Sequence, residues 1–438
     1  MEALVMTGQL LLGLSILVGL HEAGHLLAAK AFGMRVEKYS IGFPPKIWGF
    51  QYGETEYSIG AIPLGGFVKI SGMIDESLDT KTLSEEPEPW EFRAKPAWQR
   101  LIVMMGGIIV NIITGIVIFV ILVFNNGESY ISKDEVNKYG IVAYDLGQEI
   151  GFETGDKVIR INGQDFEKFN EVRSPDVLLS DDGFYTVNRA GQEINIPIPS
   201  DFLDKFSEKD AASNFIDIRF PFGVGQIMEG SNAAEGGLQE GDEFVSVNGQ
   251  SVEYFDQFKS LLEENRGNSI TAKVRRDGGV EDLDLKVTPE GTLGFFPTQD
   301  LQFAHIDYSF GEAINKGTEQ AFGVVWVNIK AFGKMFSGDV DPRKSLSGPI
   351  GIAKIFGGTW DWGNFWRITG LISMILAFMN FLPIPALDGG HVVFLTYEIV
   401  SGQKPSDRFL ENAQKVGMVI LLGLMGFAIF NDIFKLFA

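Results

Sequence analysis

The hydrophobic residues of this chain are concentrated in four long runs, with a long polar block between the second and the third. The runs cover residues 4–32, 101–124, 368–400 and 416–437. A helix needs about 20 residues to cross the hydrocarbon core of a bilayer, and each run is long enough. The first run has no basic leader and continues through polar residues, so we interpret it as retained rather than as a cleaved signal peptide. The pattern predicts four membrane-spanning helices.

Lys and Arg side chains lie at one side of the predicted spans. They occur in the connection between the first two runs and in the short link between the last two, as Lys30, Arg35, Lys38, Arg93, Lys95, Arg100, Lys404, Arg408 and Lys415. Residues 1–9 and 125–131 contain none. Because basic residues near the ends of spans stay in the cytoplasm, we expect both termini and the polar block to lie outside it.

The polar block contains an internal repeat. The segment from Gly151 to Gln164 reappears as Gly237 to Gln250, at a constant offset of 86 residues. Each copy predicts a turn, a short alternating strand and an Asn-Gly hairpin turn. These residues resemble PDZ domains, which implies that extended peptides bind by adding a strand to a sheet edge. The alternatives are size filtering, or a pair of β-rich spacers without a ligand.

Charge and cysteine content exclude several classes of function. Residues 126–310 carry 35 acidic and 16 basic side chains, so most of the net charge of −21 lies in this block. Such a block repels nucleic acid, and we expect no nucleic-acid partner. The chain has no cysteine, which excludes disulfide bonds and Cys-ligated zinc.

The first apolar run contains the sequence His21-Glu22-Ala23-Gly24-His25. Side chains four residues apart lie on one face of a helix, so both imidazoles can reach one ion, and neutral imidazole suits Zn²⁺. Glu22 lies between them, where it can contact a water molecule on the metal as a general base. The alternative is a polar kink packed against another span. Ionisable groups inside a membrane are costly, and three at ligand spacing favour a functional site.

A catalytic zinc site needs a third protein ligand from elsewhere in the chain. The segment from Asn380 to His391 reads Asn-Phe-Leu-Pro-Ile-Pro-Ala-Leu-Asp-Gly-Gly-His, and its prolines predict a break in the third span. Such a break is tolerated only where it lines protein or water. Asp388 and His391 are both candidate ligands, and spacing alone does not choose between them.

The two motifs together resemble the site-2 protease family of intramembrane zinc metalloproteases, in its RseP-like branch with tandem PDZ domains. The resemblance covers essentially the whole chain. It implies that His21, His25 and Asp388 bind Zn²⁺, that Glu22 activates water and that Asn380 holds the substrate backbone or stabilises the oxyanion. It further implies substrate contacts at four residues, namely Gly65, Gly66, Pro383 and Pro385. For the two glycines alone, an ordinary surface hairpin is an equally good description.

The predicted fold class is a polytopic α-helical membrane protein of four transmembrane helices, with two β-rich PDZ domains inserted between helices 2 and 3. The expected domains are the first transmembrane helix at 1–32, a cytoplasmic membrane-associated β-hairpin region with an interfacial helix at 33–97, the second helix at 98–126, PDZ domains at 127–220 and 221–290, an amphipathic membrane-surface segment at 291–361, the third helix at 362–400 and the fourth at 401–438.

The resemblance implies an enzyme of the inner membrane that cuts within or near the transmembrane segment of a pre-trimmed membrane protein. Its active site would face the cytoplasmic side, and its PDZ domains the other. The expected partners are the lipid bilayer and single-pass membrane substrates, such as an anti-sigma factor or a signal-peptide remnant. The main alternative is a catalytically inactive PDZ-bearing membrane scaffold, which does not require Glu22. A zinc transporter is a weaker alternative, because the other spans lack a path of acidic or histidine residues.

Overall fold

The structure is a computed structural model that describes residues 2–73, 86–180, 182–199, 202, 205, 214–338 and 348–437. Parts of the predicted segments 33–97, 127–220 and 291–361 therefore lie outside the described residues. The chain divides into two compact units. Unit 1 joins Met1–Gly127 with Asp307–Ala438, and unit 2 is Glu128–Ile306.

The helices lie mostly in unit 1 and the strands mostly in unit 2. The helices are α1 (Glu2–Ala31), α2 (Ala97–Asn126), α3 (Lys133–Val136), α4 (Asp145–Ile150), α5 (Pro175–Leu178), α6 (Asn232–Glu235), α7 (Phe255–Glu264), α8 (Phe310–Ser337), α9 (Pro349–Phe356), α10 (Trp362–Phe381), α11 (Asp388–Ser401) and α12 (Asp407–Phe437), with 3-10 turns at Phe92–Ala94 and Phe169–Arg173. The strands are β1 (Val36–Tyr52), β2 (Thr55–Ile70), β3 (Glu128–Ile131), β4 (Ile141–Ala143), β5 (Lys157–Ile161), β6 (Phe184–Arg189), β7 (Gln192–Pro197), β8 (Ile216–Ile218), β9 (Phe222–Ile227), β10 (Glu243–Val247), β11 (Gln250–Ser251), β12 (Ser269–Arg276), β13 (Gly279–Lys286), β14 (Phe295–Gln299) and β15 (Phe303–Ile306).

Three helices in the described part of the chain are long and apolar enough to cross a membrane. They are α1, α2 and the segment Arg408–Phe434 of α12. The remaining apolar run is divided between α10 and α11, so the predicted break at Pro383 and Pro385 is present. Proline removes a backbone donor and disfavours helix at the residue before it, which accounts for the end of α10 at Phe381.

Two glycines bring α1 and α2 into backbone contact. A Cβ atom on Gly24 would lie 2.3 Å from the carbonyl oxygen of Gly106, and one on Gly106 would lie 2.6 Å from that of Gly24. Small residues let helices approach closely where no hydrophobic effect drives them together. This contact lies beside His25, one residue along α1.

Helix α8 also packs through small residues, and it runs lengthwise along α2. Its buried face carries Ala313, Gly317 and Ala321, one turn apart. A Cβ atom on Gly317 would lie 2.6 Å from the Cα of Val120. The beginning of α8 packs near Val123 of α2, and its later turns pack near Ile112 of the same helix.

Two observations concern the predicted segment 291–361, whose place at the membrane surface stays a prediction. Its helix α8 packs lengthwise against α2, a helix that is long and apolar enough to span a membrane. The chain also remains in unit 2 beyond residue 290. Strand β14 pairs with β9, and β15 pairs with β3, so the chain stays in unit 2 as far as Ile306.

The connection between α1 and α2 folds as the long antiparallel hairpin of β1 and β2. Its register runs from the pair Val36 and Ile70 to the pair Tyr52 and Thr55, with several bulges. The base of the hairpin packs on α1 and α2 in a core that includes Leu26, Met34 and Met104. The hairpin therefore extends from the end of α1 that carries the histidines.

Unit 2 contains two separate hydrophobic cores. Module 1 is built around residues 136–216, with Tyr185 and Phe215 fully buried, and β5, β6 and β7 form its largest sheet. Module 2 is built around residues 224–293, with Phe258 and Ile270 at its centre. Its largest sheet has the order β11, β10, β12, β13.

The sequence repeat forms the same hydrogen-bonded structure in both modules. In module 2, Arg276 donates through Nε and a terminal nitrogen to the two oxygens of Asp242, at 2.7 and 2.6 Å, and to the carbonyl of Gly237 at 2.9 Å. In module 1, Arg189 makes the matching bonds to Asp156 and Gly151. Burial raises the pKa of Asp242, but the hydrogen bonds from Arg276 and the Gln239 N–H hold it below the ordinary value of 3.8.

Candidate metal centre

Helix α1 places His21 and His25 on one face, as their spacing predicts. Their Nε2 atoms lie 3.2 Å apart, with the rings nearly perpendicular. The Nδ1–H of His25 donates to the carbonyl oxygen of Val103 on α2 at 2.8 Å. Since a carbonyl oxygen only accepts, this bond assigns the proton to Nδ1 and leaves the lone pair of Nε2 directed toward His21.

The break between α10 and α11 brings Asp388 to the two histidines. Its Oδ2 lies 3.1 Å from Nε2 of His21 and 3.4 Å from Nε2 of His25. Two glycines after Asp388 let the chain fold tightly back on itself. A Cβ atom on Gly389 would lie 2.2 Å from the carbonyl oxygen of Leu382, and one on Gly390 would lie 2.6 Å from that of Ile384. Side chains at these two positions would displace the first turn of α11, which carries the carboxylate.

The three converging atoms fit a tetrahedral zinc ion. Ligand atoms bonded to zinc at 2.0–2.1 Å lie about 3.3–3.4 Å from one another in a tetrahedron. The observed separations of 3.1, 3.2 and 3.4 Å are close to this value. Moreover, Oδ2 of Asp388 is buried and has no hydrogen-bond partner among the described residues, which is costly unless another group satisfies it.

Space beside the ligand atoms is kept open by Gly107 of α2. A Cβ atom there would lie 2.5 Å from Nε2 of His25 and 2.7 Å from Nε2 of His21. Any other residue would press a carbon atom against both nitrogens. The donor set, the unsatisfied oxygen and this open space together fit a bound zinc ion.

Glu22 lies beside the three ligands and against the β-hairpin. The backbone N–H of Val68 on β2 is directed toward its carboxylate. A Cβ atom on Gly66 would lie 3.4 Å from Cγ of Glu22 and 2.8 Å from Cγ1 of Val18. The glycine therefore lets β2 pass close to α1 at the position of the carboxylate.

These residues border one cavity of about 730 Å³, within the range of ligand-binding sites. Its walls come from α1, α2, the β-hairpin, α10, α11 and α12, and they include Phe43, Lys69, Met104, Leu376 and Gln414. The cavity thus combines a mainly apolar surface with a few convergent polar groups.

Most of the predicted site residues border this cavity. His21, Glu22, His25, Asn380 and Asp388 do so, and Nδ2 of Asn380 lies 3.5 Å from Nε2 of His21. Gly65 and Gly66 also border it. His391 borders it as well, but the cluster of possible metal ligands in the described residues is His21, His25 and Asp388.

Two predicted substrate contacts are not supported by this geometry. Within the described residues, Pro383 and Pro385 are absent from the cavity walls, which contain Ala386 and Leu387 instead. The carbonyl of Pro385 faces α12, where a Cβ atom on Gly417 would lie only 1.4 Å from it. The prolines therefore shape the loop and its contact with α12.

Sequence reasoning missed the contribution of α2. Asn111 is fully buried and lies 3.1 Å from Nδ1 of His21, measured from its Nδ2. A signal was available, because a polar side chain in a membrane-spanning run is costly and suggests a function. Gly106 and Gly107 gave a weaker signal, since glycine is common in such helices.

Comparison with known proteins places the whole chain in one family. It is 30% identical to a putative zinc metalloprotease, PM1991, of Pasteurella multocida, over 97% of both chains. It is 30% identical to the regulator of sigma E protease of Haemophilus influenzae over 98% of both chains, and to the regulator of sigma-E protease RseP of Escherichia coli over 97% of this chain and 98% of that one. The sequence profile of Peptidase family M50 matches residues 9–424, a range that includes all the residues of the candidate centre. On this match and these relatives, the chain belongs to peptidase family M50.

Proposed function

We propose that this chain is an intramembrane zinc metalloendopeptidase of the site-2 protease type, with Glu22 as general base and His21, His25 and Asp388 as ligands of Zn²⁺. The observation that carries the proposal is the convergence of the three ligand atoms beside Glu22 in one cavity among apolar helices. One relative is named a putative zinc metalloprotease, which supports the same metal, and another is named a regulator of sigma-E protease, which supports the same reaction.

When bound, Zn²⁺ lowers the pKa of a water molecule and polarises the carbonyl of the scissile peptide bond. Glu22 accepts the proton of the attacking water at its carboxylate and returns it to the leaving nitrogen. The Val68 N–H is directed toward that carboxylate and favours its charged form. The side-chain amide of Asn380 donates to the oxyanion that develops on the substrate, since it lies within reach of His21.

The β-hairpin orients the substrate in this proposal. A helix hides its carbonyl groups in internal hydrogen bonds, so the cleaved segment must be extended. Gly65 and Gly66 border the cavity next to Glu22. They leave room for an extended segment to lie along β2 with a carbonyl directed at the metal centre.

We further propose that the chain crosses the inner membrane four times, through α1, α2, the broken pair α10 and α11, and α12. The apolar lengths of three of these helices and the distribution of Lys and Arg support this topology. It places both termini and the two modules outside the cytoplasm, and the active site toward the cytoplasmic side. The substrates are single-pass membrane proteins already trimmed outside, such as an anti-sigma factor or a signal-peptide remnant.

The two modules of unit 2 act in this proposal as PDZ-type domains that bind peptide or exclude large outer domains. Their matching Arg–Asp bonds support a duplicated domain. Size exclusion is tested on the full chain with two substrates that differ only outside the membrane. A folded outer domain should slow cleavage several-fold, whereas equal rates would exclude filtering by size.

The main experiment measures cleavage of a model transmembrane substrate by the purified full chain in detergent, together with its zinc content. Glu22→Gln should retain zinc and bind substrate but lose activity by at least about 100-fold. Glu240→Gln makes the same charge change in an exposed turn and serves as the matched control. Full activity in Glu22→Gln, or wild-type protein without zinc, would refute the proposed function and leave the scaffold as the better interpretation.

A further inference from the structure

Asn111 occupies a costly position in the middle of α2. Its side chain is fully buried in an otherwise apolar stretch, and its backbone carbonyl accepts a hydrogen bond from the hydroxyl of Ser373 at 2.7 Å. Its side-chain amide lies next to the ring of His21, with 3.1 Å between Nδ2 and Nδ1. A buried amide in a membrane helix therefore faces the one ring nitrogen of His21 that is not directed at Asp388.

The chemistry of a metal ligand determines which atom of this amide faces the ring. If Nε2 of His21 binds a metal, its ring proton is on Nδ1, and Nδ1–H is a donor. A donor facing the NH₂ group of Asn111 is repulsive. At the same time, Oδ1 of Asn111 is buried and finds no hydrogen-bond partner within the part of the chain that the structure describes.

Exchanging the oxygen and nitrogen of the amide resolves both problems, because the two atoms are assigned from their hydrogen bonds rather than from their shape. After the exchange, Nδ1–H of His21 donates to the amide oxygen. The buried acceptor is then satisfied, and the lone pair of Nε2 is available for a metal ion that Oδ2 of Asp388 also binds.

We infer that Asn111 is a positioning residue whose amide oxygen accepts the Nδ1–H of His21 and so holds the tautomer that offers Nε2 to the metal. Val103 does the same for His25 through its backbone carbonyl. Helix α2 thus orients both imidazoles, although it supplies none of the three ligand atoms. This inference rests on the proposed zinc site.

A packing role for Asn111 makes a different prediction from a positioning role. Asn111→Leu keeps the branched shape and the number of side-chain heavy atoms but removes the acceptor. Asn111→Asp keeps an acceptor oxygen at the same place and forms the carboxylate–histidine pair that often supports a zinc ligand. Ser373→Ala is the matched control, because it removes the hydrogen bond to the backbone of Asn111 and leaves the amide unchanged.

The test is a chelator competition that measures the zinc affinity of the purified full chain in detergent, with the visible spectrum of the cobalt-substituted protein as a second readout. Asn111→Leu should weaken zinc binding by at least about tenfold and change the cobalt spectrum. Asn111→Asp should stay within about threefold of the wild type, and Ser373→Ala should not differ from it.

Three results would overturn the inference. One is an Asn111→Leu variant that binds zinc like the wild type. Another is an Asn111→Asp variant that loses as much affinity as the leucine variant, because an acceptor would then not suffice. The third is an equal loss in Ser373→Ala, which would indicate packing alone. If the wild-type chain binds no zinc, the proposed function fails first, so the two failures are distinguishable.

Discussion

Adding one methyl group at Gly107 should remove the metal while leaving the helices intact. In Gly107→Ala the new Cβ would lie 2.5 Å from Nε2 of His25 and 2.7 Å from Nε2 of His21, whereas ordinary contacts begin at 3.4 Å. Each nitrogen would therefore have to move by about 0.7–0.9 Å. Functional groups need to be held within about 0.5 Å of their productive positions.

The rings have little freedom to make that movement. His25 is tied to the carbonyl of Val103, and α1 is in backbone contact with α2 at Gly24. A displacement of this size at a reacting centre costs about 100-fold. We expect zinc affinity and cleavage rate each to fall by at least that factor. Alanine is also the better helix former by about 1 kcal/mol, so α2 itself should not weaken.

The assay is zinc content and chelator competition on the purified full chain, followed by cleavage of the model substrate. Gly8→Ala is the control, because it adds the same methyl group to α1 at a position where no atom of the described residues lies within 4 Å. If Gly107→Ala kept one zinc ion per chain with unchanged affinity, the space beside the two nitrogens would not be where the metal binds, and the reasoning from this glycine would be refuted.

Three further predictions concern the hairpin, the carboxylate ligand and module 2. Gly66→Ala places a Cβ atom 2.7 Å from the carbonyl oxygen of Ser40, so cleavage should slow by about tenfold or more while zinc content stays at the wild-type level. In contrast, Asp388→Asn should lose both bound zinc and cleavage activity. Unchanged hydrolysis in this variant would exclude Asp388 as a ligand. Asp242 has a lowered pKa in the folded state, so its contribution to stability is present above pH 3.8 and is lost as the pH falls through the folded pKa. Asp242→Asn should therefore destabilise module 2 by on the order of 2 kcal/mol at pH 7, measured by hydrogen exchange in β10 and β12 on the full chain, and the difference from the wild type should shrink in acid.

The parts of the site that sequence could predict are those fixed by local periodicity. The spacing of His21 and His25 determines their common face once the segment is a helix. Likewise, Pro383 and Pro385 break the helix whatever its neighbours in the fold are. The Asn-Gly turns of the repeat also determine local structure. In both modules the Asn side chain, Asn162 or Asn248, accepts a hydrogen bond from a backbone N–H of the neighbouring strand.

The parts that it could not predict depend on which helices become neighbours. Gly107 and Asn111 acquire their importance only because α2 lies against the histidine face of α1, and an apolar run carries no information on that neighbour. The same holds for α8, since its amphipathic sequence does not show that Gly317 and its small neighbours pack it along α2. Strand β14 lies beyond the repeated segment, and its pairing with β9 is a long-range contact.

Helix α2 both inserts into the membrane and orients the imidazoles of the metal centre, and these two roles favour different residues. Replacing Asn111 by leucine, or Gly107 by alanine, makes α2 more apolar or more helical, and either change favours its insertion into a bilayer. The same changes act against the imidazoles that α2 orients. Selection for yield or thermal stability should therefore favour substitutions in α2 that weaken metal binding. This agrees with the general conflict between stability and activity at functional sites.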